Sequence, residues 1–322
     1  MKILFEHNGK LPVVGYGGTE RIVFWLMKEL VRLGHEIFLV AQPESEVKRF
    51  GIQLIPHPGT PDWRSVIPHG IDLIHYSYTP PFELPVPSLT TIHGNGKIGE
   101  IFPKNTVFVS KQHALNHGST AFVHNGLDLA EYPFQLPQKK TWNHFMFLAK
   151  ASWKVKNLQD CMKACKKSGK HLHIAGGHRF SFSRLIHSYG IIGQEKKLEL
   201  LRHCDALLWP VRWHEPFGVA MIEAFSQGKP VIASSFGSMP EIINSKVGRI
   251  CQTYDEFAQY ISDCPDDFDP QAIRHYVEEN FSSLQMAKRY VDYYEKVIRG
   301  EEINGSCPTW KDPRAPQELL SF

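Results

Sequence analysis

Short apolar runs that open into loops and are followed by apolar residues at helical spacing recur along the chain. Residues 2–6 form the first run, and His7, Asn8 and Gly9 follow it, as when a buried parallel strand opens into a loop. After the glycine-rich turn Gly15, Tyr16, Gly17 and Gly18, the residues Ile22, Val23, Leu26, Leu30 and Leu33 fall on one helical face up to Gly34. Residues 36–41 read as the next strand. This is a βαβ unit whose first loop lies at the carboxyl end of its strand, where open parallel sheets bind ligands. Further strands are predicted at 52–55, 71–76, 88–92, 106–110 and 121–124, with prolines 80, 81, 85 and 87 stiffening the loop before 88. Residues 132–140 read as a linker. The alternation then restarts, with strands at 145–149, 171–175, 206–209, 230–233 and 248–251. Helical patterns at 157–168, 194–203, 219–227, 239–243 and 254–262 separate them. An amphipathic helix over 281–299, with Tyr290, Tyr293 and Tyr294, precedes an irregular tail. The pattern predicts two doubly wound α/β domains, at 1–138 and 139–282. Residues 283–322 are expected to pack back on the first of them. The cleft between the two is the expected ligand site.

Composition narrows the partners. A chain of 322 residues can bury two cores, and 42% apolar with 21% charged residues is ordinary for a globular protein. The net charge of +3 gives no reason to expect nucleic acid, whose binders concentrate a basic face. Six cysteines without a Cys-x-x-Cys pair match reduced, cytoplasmic usage. Of the seventeen histidines, His171 and His173 alternate along a strand pattern with no compact ligand set apparent beside them, so no metal is expected. Met1 and Lys2 lead directly into a strand pattern, and no apolar run approaches the ~20 residues of a spanning helix. Neither a signal peptide nor a membrane span is therefore expected.

The stretch 209–228 carries the densest chemistry. An apolar strand enters a loop ending Glu215-Pro216-Phe217-Gly218, and a helix follows whose second turn holds Glu223. Unpaired N–H groups and a partial positive charge at such a helix start suit a phosphate. Carboxylates on either side of it suit paired hydroxyls of a sugar and a ribose. Taken alone, two glutamates near a helix start are also explained by the dipole. Residues 147–157 again run strand, loop, helix, with Lys150, Lys154 and Lys156 in the loop. An ammonium about 4 Å from a phosphate is worth roughly 4 kcal/mol before desolvation at an effective dielectric near 20. Such contacts strengthen as a leaving group gains charge. Gly17 and Gly18, with Thr19 as the expected helix cap, could cradle an anion or hydroxyl. They lack the Gly-x-Gly-x-x-Gly spacing of a dinucleotide site. His93, between a strand end and Gly94, is either a structural or a catalytic histidine.

Five blocks carry a family resemblance. They are Gly-Gly-Thr-Glu-Arg at 17–21, Thr-Ile-His-Gly at 91–94, Val-His-Asn-Gly-Leu-Asp at 123–128, Glu-Pro-Phe-Gly-Val-Ala-Met-Ile-Glu-Ala at 215–224 and Gly-Ser-Met-Pro-Glu-Ile-Ile at 237–243. In order and type the chain resembles, over roughly residues 1–300, the GT-B glycosyltransferases, specifically the retaining family 4 group. The resemblance implies the GT-B fold, two Rossmann-like domains facing across a cleft, and metal-independent transfer of a sugar from a nucleotide-diphosphate donor. Glu215 would hold donor-sugar hydroxyls. The backbone at Phe217, Gly218 and Val219 would meet sugar and diphosphate, and Glu223 would bind the ribose. Lys150 and Lys156 would hold the diphosphate, Gly17 and Gly18 would face the donor, and His93 would lie near the reacting carbon. Lys150 stands where the family commonly has Arg, replacing a bidentate fork by a point charge. No cofactor beyond the nucleotide sugar is implied. The implied acceptor is a hydroxyl on a glycan, a lipid-linked molecule or a small molecule, in cell-surface glycan, lipopolysaccharide or polysaccharide synthesis. The implied place is the cytoplasm, with peripheral contact at the inner membrane face as the one association to test. Two rival readings are a glycoside hydrolase using Glu215 and Glu223, and a non-catalytic nucleotide-sugar-binding subunit.

Overall fold

A computed structural model describes the chain except for residues 14, 16, 80, 81, 137–140, 265 and 266. It divides into two compact units, residues 1–127 with 283–313, and residues 128–282 with 314–322. Prolines 80 and 81 and the end of the predicted linker lie outside the described residues.

In the first unit, strands β1 (Lys2–Glu6), β2 (Glu36–Ala41), β3 (Ile52–Pro56), β4 (Leu73–Tyr76), β5 (Ser88–Ile92) and β6 (Thr106–Phe108) form one sheet in the order β3-β2-β1-β4-β5-β6. Every pairing is parallel. Helix α1 (Gly18–Arg32) buries Ile22, Val23, Leu26 and Leu30 of the predicted stripe, while Leu33 follows the helix and is exposed. The predicted strand at 121–124 is reduced to a single bridge between Phe122 and Phe108. Chain direction changes at Ser110, whose side chain accepts the His113 N–H and starts the short helix α2 (Lys111–Asn116).

The second unit repeats the plan. Strands β7 (His144–Leu148), β8 (His171–Ala175), β9 (Ile186–Ser188), β10 (Ala206–Trp209), β11 (Val231–Ser234) and β12 (Gly248–Cys251) run in the order β12-β11-β10-β7-β8-β9, again all parallel. Around them lie α3 (Leu158–Lys167), α4 (Gln194–His203), α5 (Val219–Ser226), α6 (Met239–Ile242), α7 (Tyr254–Asp263) and α8 (Pro270–Asn280). β9 has no fully buried residue, so its sequence lacks the apolar run that marked the other strands.

Read outward from its centre, each sheet has the doubly wound 3-2-1-4-5-6 order, which reverses direction between β1 and β4 and between β7 and β10. A crevice opens beyond the carboxyl ends of the strands at such a reversal, because the two following connections leave to opposite faces.

The last helix, α9 (Ser283–Ile298), belongs to the first unit and packs on α1, β4 and β5. Its Tyr294 hydroxyl lies 2.6 Å from His75 Nδ1, and Tyr290 and His75 both bond Thr91, so four buried polar side chains satisfy one another at the helix. Residues 314–322 belong to the second unit. There Arg212 Nε donates to the Leu320 carbonyl at 2.7 Å, and Phe322 packs on Phe236 and Phe257. All six cysteines are free thiols, and among the described residues no helix is long and apolar enough to cross a membrane.

Candidate active site

The reversal between β7 and β10 in the second unit gathers the lysine loop and the 209–218 loop. The two loops are stitched by backbone and side chain. Arg212 N–H donates to the Val155 carbonyl at 2.8 Å, and Asn157, in the left-handed region at φ 58°, donates from Nδ2 to the Pro210 carbonyl at 2.9 Å. The result holds Lys156 Nζ 2.5 Å from Glu215 Oε2, both side chains almost fully buried. The Trp213 indole N–H donates to the same oxygen at 2.8 Å. The rings of Trp209, Trp213 and Trp153 lie 4.9, 5.0 and 6.0 Å from the lysine nitrogen, so its charge is enclosed by one carboxylate and three aromatic rings. Lys150, by contrast, is exposed beside Trp153.

Glycines shape the turn into α5. Gly218 has φ 83°, and a Cβ there would come 2.9 Å from Met221 Cε and 3.2 Å from Trp209 Nε1. Gly237 packs its backbone on Glu215 so closely that a Cβ would fall 2.3 Å from that residue's N and O. Ser238 completes the clamp, donating its N–H to the Glu215 carbonyl and its hydroxyl to the Phe217 carbonyl. Phe217 itself is buried against Phe281. With the Phe217 side chain in the core and its carbonyl taken, the N–H groups that begin α5 are what this stretch can offer a ligand. The Trp209 indole nitrogen is buried beside them with no hydrogen-bond partner, as expected for a donor aimed at a polar ligand.

Glu223, on the buried face of α5, accepts from the Tyr132 hydroxyl at 2.6 Å and is ion-paired with Lys197 of α4. Tyr132 and Lys197 escaped the sequence reading. Tyr132 lay in the supposed linker yet is fully buried, and Lys197 carried no motif. Gly176 and Gly177 were also missed. Their φ values of 112° and 142° bring the end of β8 against the lysine loop, where a Cβ on Gly176 would overlap the Ala149 carbonyl. The Ala-Gly-Gly ending of a strand was a legible signal.

The remaining predicted residues lie in the first unit. Gly17 caps α1 and Gly18 begins it; Thr19 lies inside the helix and makes no cap, correcting the expectation. A Cβ on Gly18 would meet nothing within 4 Å. His93 follows β5. Burial pushes its pKa down to about 4, and its Nε2 is buried without a partner. At the carboxyl ends of β1–β4 lies a cavity of about 470 Å³, lined by Glu6, Asn8, Gln42, His57, Trp63 and Tyr78 among others. Burial raises the Glu6 pKa against a weaker lowering by the Tyr78 hydroxyl, which donates to Oε2 at 2.5 Å. Glu6 Oε1 has no hydrogen-bond partner, and His57 Nε2 stands 3.8 Å from it. The sequence reading assigned none of these lining residues.

One expectation about the histidines needs correcting. His171 and His173 do not merely alternate on a strand. Ring nitrogens of His144, His173 and His203 converge to within 4.8 Å of one another.

Comparisons with known proteins place the second unit in a family and the fold in a class. Residues 129–279 match the family model described as glycosyl transferases group 1, a span that holds Lys150, Lys156, Glu215 and Glu223. Glycogen synthase of Mycobacterium tuberculosis is 26% identical over 151 residues, covering 41% of this chain and 36% of that protein. The chain therefore spans about a third of the length of this curated relative. The fold is that of solved GT-B glycosyltransferases. AviGT4, a glycosyltransferase involved in Avilamycin A biosynthesis, superposes with a TM-score of 0.75 at 21% identity, covering 96% of this chain and 99% of its own. Anabaena Alr3699/HepE, solved in complex with UDP and glucose, superposes with a TM-score of 0.67 at 16% identity, covering 92% of this chain and 100% of its own.

Proposed function

We propose that the chain is a retaining glycosyltransferase that moves a sugar from a nucleotide diphosphate to a hydroxyl acceptor without a metal. The observation that carries the reading is the arrangement around α5. Glu215, with Lys156 beside it, stands before the helix, the free N–H groups open it, and Glu223 lies in its second turn. A carboxylate, an anion-binding helix start and a second carboxylate correspond in order to the sugar hydroxyls, the diphosphate and the ribose of one donor. Lys156 and Lys150 would neutralise the charge that grows on the departing diphosphate, the role a divalent cation plays in other transferases. The acceptor oxygen would attack on the face the diphosphate leaves, with a phosphate oxygen taking its proton.

The acceptor is assigned to the first unit. The cavity over Trp63 and Tyr78 offers an aromatic floor with carboxyl, amide and imidazole groups. That combination suits a polyhydroxylated molecule, and the volume lies within the range of small-molecule sites. The family likeness supports a role in cell-surface glycan or polysaccharide synthesis, and six free thiols are in keeping with a reducing compartment such as the cytoplasm.

The hydrolase reading is disfavoured because each glutamate is matched to its own lysine, Glu215 to Lys156 and Glu223 to Lys197. A glycosidase needs one carboxyl to reach the glycosidic oxygen and the other to reach the sugar carbon or its attacking water, whereas here each glutamate is already engaged by an ammonium. Incubation with radiolabelled UDP-, GDP- and ADP-sugars, beside aryl glycosides, tests the proposal. Label is expected to pass to an acceptor or, slowly, to water from one nucleotide sugar. Aglycone release alone would sink the transferase. Tight binding of a nucleotide sugar with no turnover on any acceptor would favour the non-catalytic subunit. A melting-point screen with UDP, GDP and ADP identifies the base, since a ligand at about 100 times its Kd adds roughly 2.7 kcal/mol to the folded state.

A further inference from the structure

Five imidazoles pack together on one face of the second sheet, at the end opposite the lysine loop. His144 opens β7, His171 and His173 lie on β8, His187 is on β9, and His203 ends α4. Parallel pairing sets His144 beside His171 and His173 beside His187, so the side chains stack across neighbouring strands. The ring planes of His144 and His171 are 16° apart, and those of His173 and His187 are 18° apart. Such a stack supplies up to five imidazole nitrogens as ligands. The nearby carboxylate of Asp205 is already committed, accepting from Asn143 N–H at 2.8 Å, His144 N–H at 3.0 Å and the Thr141 hydroxyl at 3.2 Å.

We propose that His144, His173 and His203 form a binding site for one divalent transition-metal ion of the zinc class. His173 is the anchor. Its Nδ1 is 2.9 Å from the Tyr189 hydroxyl, and its Nε2 is 3.0 Å from His144 Nδ1. The outer hydrogen bond to Tyr189 can hold the proton on Nδ1, which leaves the Nε2 lone pair turned toward His144, as in metal-bound histidines with an oxygen partner behind them. Two nitrogens bound to zinc at about 2.0–2.1 Å in a tetrahedral site stand roughly 3.3 Å apart. The spacing of 3.0 Å needs only a small opening to accept an ion between the rings. His203 is exposed at a helix end and can turn its ring to become the third ligand. Three imidazoles with no available carboxylate select zinc, nickel or copper over magnesium or calcium, which require oxygen ligands.

The site is separate from the α5 site. β7 runs from His144 at one to Leu148, two residues before Lys150, at the other, and four steps of about 3.3 Å span roughly 13 Å. The ion is therefore assigned to holding β7, β8 and α4 together, with no part in sugar transfer. The proposal does not depend on the transferase reading.

The test is calorimetric titration of the chelator-stripped full chain with Zn2+ at pH 7.5, with Co2+ absorption as a second readout. One ion per chain is expected, with Kd of about 1 µM or tighter, a raised melting point and tetrahedral Co2+ bands. His203→Ala, at an exposed position, and His144→Gln are each expected to weaken Zn2+ at least about tenfold, and Tyr189→Phe to weaken it about tenfold through His173. Binding weaker than about 1 µM would overturn the proposal, as would unchanged affinity in His203→Ala. Because His203 is exposed, its variant keeps the test decisive even where His144→Gln destabilises the unit.

Discussion

The pairing of Lys156 with Glu215 changes how a mutation at either residue must be read. Both are buried, so removing one leaves the other charge without compensation, which costs about 3–5 kcal/mol. Glu215→Ala is therefore expected to lower both activity and stability, and so cannot by itself assign a catalytic role. Glu215→Gln keeps the shape and an oxygen to accept from Lys156, so although it too leaves the ammonium without a counter-charge it opens no cavity, and its melting point is read beside its rate. It is expected to reduce transfer by about 100-fold or more while nucleotide diphosphate affinity stays within a few-fold, because the amide no longer offers a charged acceptor to the sugar. Rates and calorimetry on the same preparation check this, and full activity in Glu215→Gln would remove the carboxylate from the chemistry. Glu223 is held by Tyr132, so Tyr132→Phe should let the carboxylate drift. The expected result is nucleotide diphosphate binding weakened by about tenfold, in line with one lost hydrogen bond to a charged group. Unchanged affinity would mean that Lys197 alone positions Glu223. Of these four side chains, the two glutamates and Lys156 were legible because each sits in a strand–loop–helix passage with an obvious ligand geometry. Tyr132 was not, since a buried tyrosine after a boundary looks in sequence like any residue of a loop.

At the level of elements, glycines separate positions needed for folding from positions open to a ligand. Gly237 lies against the Glu215 backbone, and the Cβ of Gly237→Ala would overlap two main-chain atoms that cannot move independently. Loss of about 2 kcal/mol or more is expected in denaturant melts, together with loss of transfer, since φ 65° adds backbone strain to the clash. Gly18 offers the contrast. It begins α1 with open space where a Cβ would stand, so Gly18→Ala should fold at least as well as the parent, by about 0.4–1 kcal/mol from chain entropy. A fall in transfer rate without a fall in melting point would then report close approach of a ligand. A rate as high as the parent's would remove Gly18 from the site. The elements themselves followed the apolar pattern wherever a strand is buried on both faces, as β1, β4 and β10 are. The pattern failed at β9, a half-buried edge strand. It overcalled residues 121–124, where the apolar run is real but pairing ends after one bridge. The Ser110 cap of α2 and the Asp269 cap with Pro270 opening α8 were readable signals that the apolar pattern alone passed over.

Taken whole, the chain should be sensitive to acid, chiefly through its first unit. Burial lowers His75 to about 3 and His93 and His124 to about 4, against an ordinary value of 6.5. Each lowered group supports the fold above pH 6.5 and withdraws that support as pH falls toward its folded value, because the unfolded chain binds the proton more readily. In the window from about pH 6 to pH 4 each contributes a loss approaching 1.4 kcal/mol per pH unit. Glu6, raised by burial, acts in the opposite sense and offsets part of it. Urea midpoints measured from pH 7.5 to pH 4.5 should fall steeply below about pH 6, and a flat profile would show that these histidines are accessible to protons in the native chain. The sequence by itself determined two doubly wound α/β halves, the loops of the candidate site and the glutamates and lysines on them, because buried parallel strands and helix starts impose local patterns. Only the tertiary structure decided that Lys156 neutralises Glu215, that Tyr132 and Lys197 secure Glu223, and that three histidines from β7, β8 and α4 meet. Those contacts join residues between 26 and 91 positions apart, and no local pattern records such a meeting.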